Sequence, residues 1–233
     1  MKVGVIQSSF IPWRGYFDFI NSVETFIFLD DVQFTKRDWR SRNKIKTKNG
    51  ASWLTVPVEY HTRGQLIRDT KVDSSQDWIT IHRNKWYENY KGAPYIDDLL
   101  DIYNIVENKY STISQLNIEL IRSICEYLNI KTQLLNSNDI KVGGSKTEKL
   151  INLLQSVGGR EYVSGSNADN YLDKEAFIKA GIALEYKSYE YPAYPQLWGE
   201  FDGAVTILDI IANCGPDAKN YIHSSSPNQI IIR

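Results

Sequence analysis

The chain is poor in the residues that announce metal or redox chemistry: two cysteines, three histidines and one methionine in 233 residues. Cys125 and Cys214 are too distant for the paired spacing of a zinc site, and His61, His82 and His223 follow no ligand pattern. No metal site is expected. Cys125 falls on an apolar helical stripe, where a thiol behaves as a small hydrophobe. Excess charge is missing too, since 27 Lys and Arg balance 28 Asp and Glu for a formal net charge of −1. Nucleic acid or an anionic membrane would find no global attraction here, so any anion site must be local and no nucleic-acid partner is expected. Long apolar runs are also lacking. No stretch could span a bilayer, and the opening MKVGVIQSSF is too short an apolar run for a signal peptide. The expectation is a cytoplasmic chain without membrane insertion.

Aromatics, by contrast, are plentiful, with six Trp and fifteen Tyr. Several sit beside charge or glycine, as in PWRGYF, KRDW and SYEYPAYPQLWGEF. Rings in such places stack on sugars or bases, or simply pack.

The order of elements starts as strand, helix, strand. Lys2 to Ser8 reads as a strand, Gly15 to Ser22 as a short helix, and the continuous apolar run Thr25 to Leu29 as a buried parallel strand. A right-handed crossover brings the two strand ends, Gln7 and Asp30, to one sheet edge, where ligands bind in open α/β sheets. Lys44 to Thr47 and Ser52 to Val58 flank Asn49-Gly50, a hairpin signal, and Ile67 to Val72 suits a further strand. A helical insertion spans about residues 78–128, ending in the amphipathic TISQLNIELIRSICEYL. The α/β rhythm then returns. Thr132 to Leu135 is a strand, Lys146 to Val157 a helix, Tyr162 and Val163 a strand, Phe177 to Ala180 part of a helix, and Ala183 to Tyr186 a strand. VTILDIIANCG is a helix stopped by glycine. Together these predict a single α/β domain over residues 1–233.

Four stretches can carry chemistry. SSFIPWRGYFD joins the first strand to the first helix, where free backbone N–H groups suit an anion; Arg14 adds charge, and Trp13 and Tyr16 a flat wall. It is neither a P-loop nor a dinucleotide fingerprint, and a structural turn explains it as well. DDVQFTKRDWRSRN follows the second strand. Asp30 and Asp31 suit a base, a metal ligand or an anchor for a basic side chain. Lys36, Arg37, Arg40 and Arg42 offer donors to phosphate or carboxylate. The bland alternative is an exposed loop whose charges pair with one another, but its place at the ligand edge favours function. Lys44, Lys46 and Lys48 alternate along the hairpin on what reads as one solvated face. SGSNADNYL places Ser164, Gly165, Ser166 and Asn167 before a helix, as backbone donors for an anion or as an ordinary cap. In the last stretch Asp209 and Asn213 share a helical face; a buried Asp209 needs a partner, with Arg or Lys of the 36–42 loop available.

The segments IQSSFIPWRGYFDFI, FLDDVQFTKRDWRSRNKIK, WLTVPV, YVSGSNADNYLD and YPQLWGEFDGAVTILDIIANCGPDA, in this order, resemble the WbqC-like family over nearly the whole chain. One departure is Ser8, where members often carry proline in QPxYxPW. The fold expected from the residues and the resemblance together is Rossmann-like: an open, mostly parallel sheet with a β-hairpin and a helical insertion. The resemblance implies a transferase of bacterial surface-polysaccharide (O-antigen) biosynthesis that places an acyl or aminoacyl group, such as glycyl, on a nucleotide- or lipid-linked amino sugar. It carries substrate contacts onto Gln7, Trp13, Gly15, Tyr16, Gln33, Arg37, Trp39, Arg40, Arg42, Asn43, Ser164, Gly165 and Asn167, and marks Asp30, Asp31 and Lys36 for catalysis. The partners are then the linked sugar and an acyl or aminoacyl donor, with a homodimer left open. No tightly bound cofactor is expected, and ATP and magnesium are needed only if the chain activates its own donor. The start of the chain is also distantly similar to nucleotidyl-transferring and adenylate-forming α/β proteins, which carry HxGH where this one reads PWRGYFD without histidine. That route stays an alternative, beside a non-catalytic sugar-nucleotide binder.

Overall fold

Glycine at position 4 fixes the first packing decision. A computed structural model describes residues 1–233, and in it a Cβ on Gly4 would lie 2.3 Å from the Phe19 ring. The missing side chain lets helix α1 (Arg14–Asn21) lie flat against strand β1 (Lys2–Ile6), and β2 (Thr25–Phe28) returns parallel to β1. Beyond β1, the sheet continues with β5 (Gln133–Asn136), β6 (Glu161–Gly165), β7 (Ala183–Lys187) and β8 (Gln229–Ile232), in the order β5-β2-β1-β6-β7-β8. All pairs are parallel except β7 with β8. This is the expected open, mostly parallel α/β sheet.

Period-two alternation decides which face each residue serves. Val3, Val5 and Ile27 pack with α5 (Lys146–Ser156) and α6 (Lys174–Lys179) in the smaller core. Phe26 and Phe28 point into the larger core, with α1, α2 (Trp78–Tyr90), α3 (Ile96–Tyr103), α4 (Ile113–Tyr127) and α7 (Ile207–Cys214). α4 starts at a capping box, Thr112 accepting from Gln115 N and the Gln115 side chain from Thr112 N. Chain order runs outward from β1 to β2 and β5, then returns to β6 on the other side of β1. The reversal of strand order therefore falls between β1 and β6, the crevice where such sheets take ligands.

Two local expectations change, and one element was not foreseen. Ile67 to Val72 is not a strand but a single 3-10 turn at Ile67–Asp69, followed by isolated bridges of Lys71 to Thr112 and Val72 to Val58. In the hairpin of β3 (Arg42–Thr47) and β4 (Gly50–Thr55), Thr47 pairs with Gly50, so Lys48 and Asn49 make the turn and Gly50 opens β4 at φ 95°. Thr47 Oγ1 shapes that turn by accepting from Asn49 N and donating to Gly50 O. Strand β8 gives no clear sequence signal, because an antiparallel edge strand of four residues shows little periodicity.

The helical insertion is tied to the hairpin through His82. Its Nδ1 lies 2.5 Å from the Tyr103 hydroxyl and its Nε2 3.1 Å from Thr55 O. Burial pushes its pKa from 6.5 to about 4 despite the Thr55 contact. Between those values the unfolded chain binds a proton that the fold refuses. Stability should therefore be complete above pH 6.5 and decline as pH falls toward about 4, by on the order of 3 kcal/mol in all. Urea melts across this range should show the slope in the native sequence and lose it in His82→Gln.

Candidate functional site

The loop after β1 is clamped from several sides. Asp30, fully buried at the end of β2, accepts from Ser8 N at 2.8 Å, Ser8 Oγ at 2.7 Å and Ser114 Oγ at 2.5 Å. Asn43 Nδ2 donates to Phe10 O and Ile11 O at 3.1 and 2.9 Å. Phe10 N donates to Trp39 O, and Ile207 N to Pro12 O. These bonds hold Ile11, a β-branched residue, at φ 35°, a conformation that needs outside support.

Above the C-terminal end of β1 this loop opens into a cavity of about 630 Å³, within the usual range for small-molecule sites. Ser9, Trp13, Arg14 and Tyr16 form one wall, Trp39, Arg40 and Asn43 a second, and Tyr189, Tyr191 and Gly203 a third. Trp13 lies edge-on to Tyr191 and tilted against Tyr189, with centroids 5.7 and 5.5 Å apart. Gly15 makes room for that indole, since a Cβ there would lie 2.3 Å from it. The tyrosine wall is fixed by a buried ion pair. Lys187 Nζ lies 2.6 Å from Asp18 Oδ2, which also accepts from Tyr191 OH at 2.8 Å and Ser224 N at 3.1 Å. Burial, reinforced by Asp18, pushes the Tyr191 phenol far above its ordinary value, so it stays protonated as a donor.

Arg14 is buried but has no carboxylate partner. Its Nη1 donates to Pro192 O and Tyr221 O at 2.7 and 3.1 Å, and its guanidinium lies 4.7 Å from the Tyr191 ring centroid. Its Nε has no acceptor, and burial lowers its pKa below the ordinary guanidinium value. Arg40 lines the same cavity, and its Nε is likewise buried without an acceptor. No ion pair in the molecule involves Arg14, Lys36, Arg37, Arg40, Arg42 or Lys44. The loop of residues 36–42 is thus not a self-paired charged surface, and its cations keep their capacity for an anion.

Trp13, Tyr16, Trp39, Arg40 and Asn43 converge on the cavity, Gly15 packs against the Trp13 indole, and Gln7 contributes the carbonyl that accepts from Tyr16 OH at 3.0 Å. The others sit elsewhere. Asp31 turns away to Lys149 and Ser137; burial opposes its charge, but those bonds win and hold its carboxyl below the ordinary value. Lys36 lies exposed over the Tyr60 ring at 4.3 Å, and Arg37 is exposed at φ 56°. Gln33 forms a bridge with Leu66, and Arg42 stacks on Trp53 at 4.1 Å. Ser164, Gly165 and Asn167 stand at the end of β6, across the reversal from β1, outside the cavity wall. Lys46 is buried, its Nζ donating to Gln196 Oε1 at 2.7 Å, rather than solvated. Asp209 finds no Arg or Lys of the 36–42 loop; it accepts from Tyr90 OH, Tyr194 OH and Gln196 Nε2 at 2.6, 2.7 and 2.7 Å. Sequence reasoning missed Ser9, Tyr189, Tyr191, Gly203 and the Asp18–Lys187 pair. Only the aromatic density of SYEYPAYP hinted at the third wall.

These features define an open, doubly wound α/β protein with an aromatic, cationic cavity at its reversal of strand order. A family model described as the WbqC-like protein family matches residues 7–221, and the chain belongs to that family. It is also 44% identical over 227 residues to an uncharacterized protein of Mycobacterium tuberculosis, covering 95% of this chain and 97% of the other. No solved structure matches it.

Asp30→Asn converts an acceptor of three bonds into a group that must present an N–H to one of its donors. Loss of about 1–3 kcal/mol of stability is expected, read as a lowered Tm. An unchanged Tm would show that the loop holds without the carboxylate.

Proposed function

We propose that the chain is a transferase that modifies an amino sugar of bacterial surface polysaccharide, placing an acyl or aminoacyl group such as glycyl on the sugar nitrogen. The observation that carries this reading is the pairing, in one cavity, of aromatic faces with two guanidinium groups that have no carboxylate partner. Trp13, Tyr189 and Tyr191 offer faces for the apolar side of a sugar ring. Arg14 and Arg40 offer donors for a phosphate or for the carboxylate of the incoming group.

In the reaction the neutral amine attacks the acyl carbon and a C–N bond forms. The bond to the leaving group, an adenylate phosphate or a carrier thiolate, breaks. The proton lost by the amine passes to that leaving group. No carboxylate or imidazole belongs to the cavity wall, so the wall's contribution is positioning, which by itself lowers barriers substantially. Asp30 serves in this reading by holding the Ser8–Pro12 loop, and Lys36 and Arg37 by drawing an anion toward the mouth. Where the acid arrives unactivated, ATP and magnesium enter as co-substrates. The same lack of an acid or imidazole favours a second reading, a sugar-nucleotide binder without turnover.

Mass spectrometry of nucleotide-linked amino sugars incubated with the protein, glycine and ATP separates the two. The transferase reading expects the added mass of one glycyl group. Binding by calorimetry with no mass change for any acyl donor would select the binder. Arg40→Gln should lower kcat/KM at least about tenfold, the effect of losing one charge-assisted contact, with Tm unchanged because Arg40 makes no side-chain bond to the protein. A matching fall in Tm would instead give Arg40 a structural role.

A further inference from the structure

Beside the cavity mouth lies a second group of unsatisfied side chains. Trp39, on the cavity wall, meets Trp53 of β4 with centroids 5.5 Å apart at 40°, and the two indoles are 44% and 38% exposed. The Arg42 guanidinium lies 4.1 Å and the Lys44 ammonium 5.1 Å from the Trp53 centroid. The Nε of Arg42, like that of Arg40, is buried without an acceptor. Two neighbouring exposed indoles are costly in water unless something covers them, and a cation without an anion beside them calls for a ligand that supplies both.

The hairpin makes this arrangement stable. Arg42 pairs with Thr55 and Lys44 with Trp53 across the two strands, so the cations and the indole stand on a rigid ribbon. Lys44 O accepts from Thr206 N, which ties the ribbon to the start of α7, and Lys85 Nζ donates to Trp53 O at 2.8 Å. Arg40 closes the gap between ribbon and cavity, because it lines the cavity and follows Trp39 directly.

We infer that Trp39 and Trp53, with Arg40, Arg42 and Lys44, bind the nucleoside diphosphate end of a nucleotide-linked substrate whose sugar enters the cavity. This rests on the sugar-modifying reading and names its carrier. A nucleobase brings a π face to the indoles while its diphosphate meets the guanidinium groups, so the exposed rings and the unpaired cations each gain a partner of matching chemistry. A prenyl carrier would bring the same diphosphate but lay hydrocarbon, with no π face, against the two indoles. The arrangement needs no base-specific hydrogen bond, so the patch selects for a stacked ring and a diphosphate more than for one base.

Calorimetry with uridine diphosphate, adenosine diphosphate and inorganic diphosphate, with tryptophan fluorescence recorded in parallel, tests the inference. Both nucleotides should bind and quench fluorescence. Trp53→Ala should weaken each about tenfold, the lower part of the range for one stacked base, and leave inorganic diphosphate within about twofold of its original affinity. Trp53→Tyr, which keeps a ring, should restore most of the loss. Arg40→Gln should weaken nucleotides and inorganic diphosphate alike. The inference is overturned if neither nucleotide binds, if Trp53→Ala changes nothing, or if both Trp53 variants behave alike. Flotation with phosphatidylglycerol vesicles, or salt-dependent binding of a single-stranded oligonucleotide in place of free nucleotide, also overturns it. Because binding is read without turnover, nucleotide affinity with no glycyl transfer removes the transferase reading alone. Transfer to a lipid-linked sugar without nucleotide affinity removes this one alone.

Discussion

The Asp30 carboxylate is the constraint on which the upper edge of the molecule depends. It is fully buried and has no cation beside it, and three short bonds from Ser8 and Ser114 hold it. A charge in that position is tolerated only if its lone pairs are satisfied. Satisfying them draws together the end of β2, the loop after β1 and the first turn of α4. Asn117, one turn further along α4, donates to Arg40 O at 2.8 Å and so extends the same frame to the second cavity wall. Side chains that never touch the cavity thus determine where Ser9, Trp13 and Arg40 stand.

Charge is handled in two opposite ways within a few residues. On α1, Asp18 faces Lys187 in a buried pair, and two further donors share the same carboxylate oxygen. Four residues earlier, Arg14 is equally buried but rests on carbonyls and ring faces, with its Nε unused. The paired site fixes geometry. The unpaired one keeps its field directed into the cavity, where low dielectric makes it stronger than it would be at the surface.

Local pattern was enough for much of the fold. The apolar run TFIFL, the strand before it and the stripe of α4 declare themselves because burial on a sheet or helix face imposes a period. The DDVQFTKRDWRSRN connection was also legible as a ligand-facing segment, from its position alone. What could not be read is anything decided by a distant partner. Asp30 and Asp31 look equivalent in sequence, yet one is enclosed by Ser114, 84 residues on, and the other is held by Lys149, 118 residues on. Asp209 likewise takes tyrosine hydroxyls where a cation was expected, because Tyr90 at the end of α2 and Tyr194 of the segment after β7 both meet it. Tyr189 and Tyr191 join the cavity only because β7 ends two strands from β1 and the chain then folds back over α1. No periodicity encodes such a return.

The three cavity walls come from residues 9–16, 39–43 and 189–204. A growing chain therefore carries two walls early and waits through the whole helical insertion and three more strands for the third. Contacts of such long sequence separation form late, because loop closure must precede them. Ligand competence and completion of the fold become the same event. Until that third wall closes, Arg14 lacks the Pro192 carbonyl and the Tyr191 ring on which it rests, and its charge has little grip on an anion.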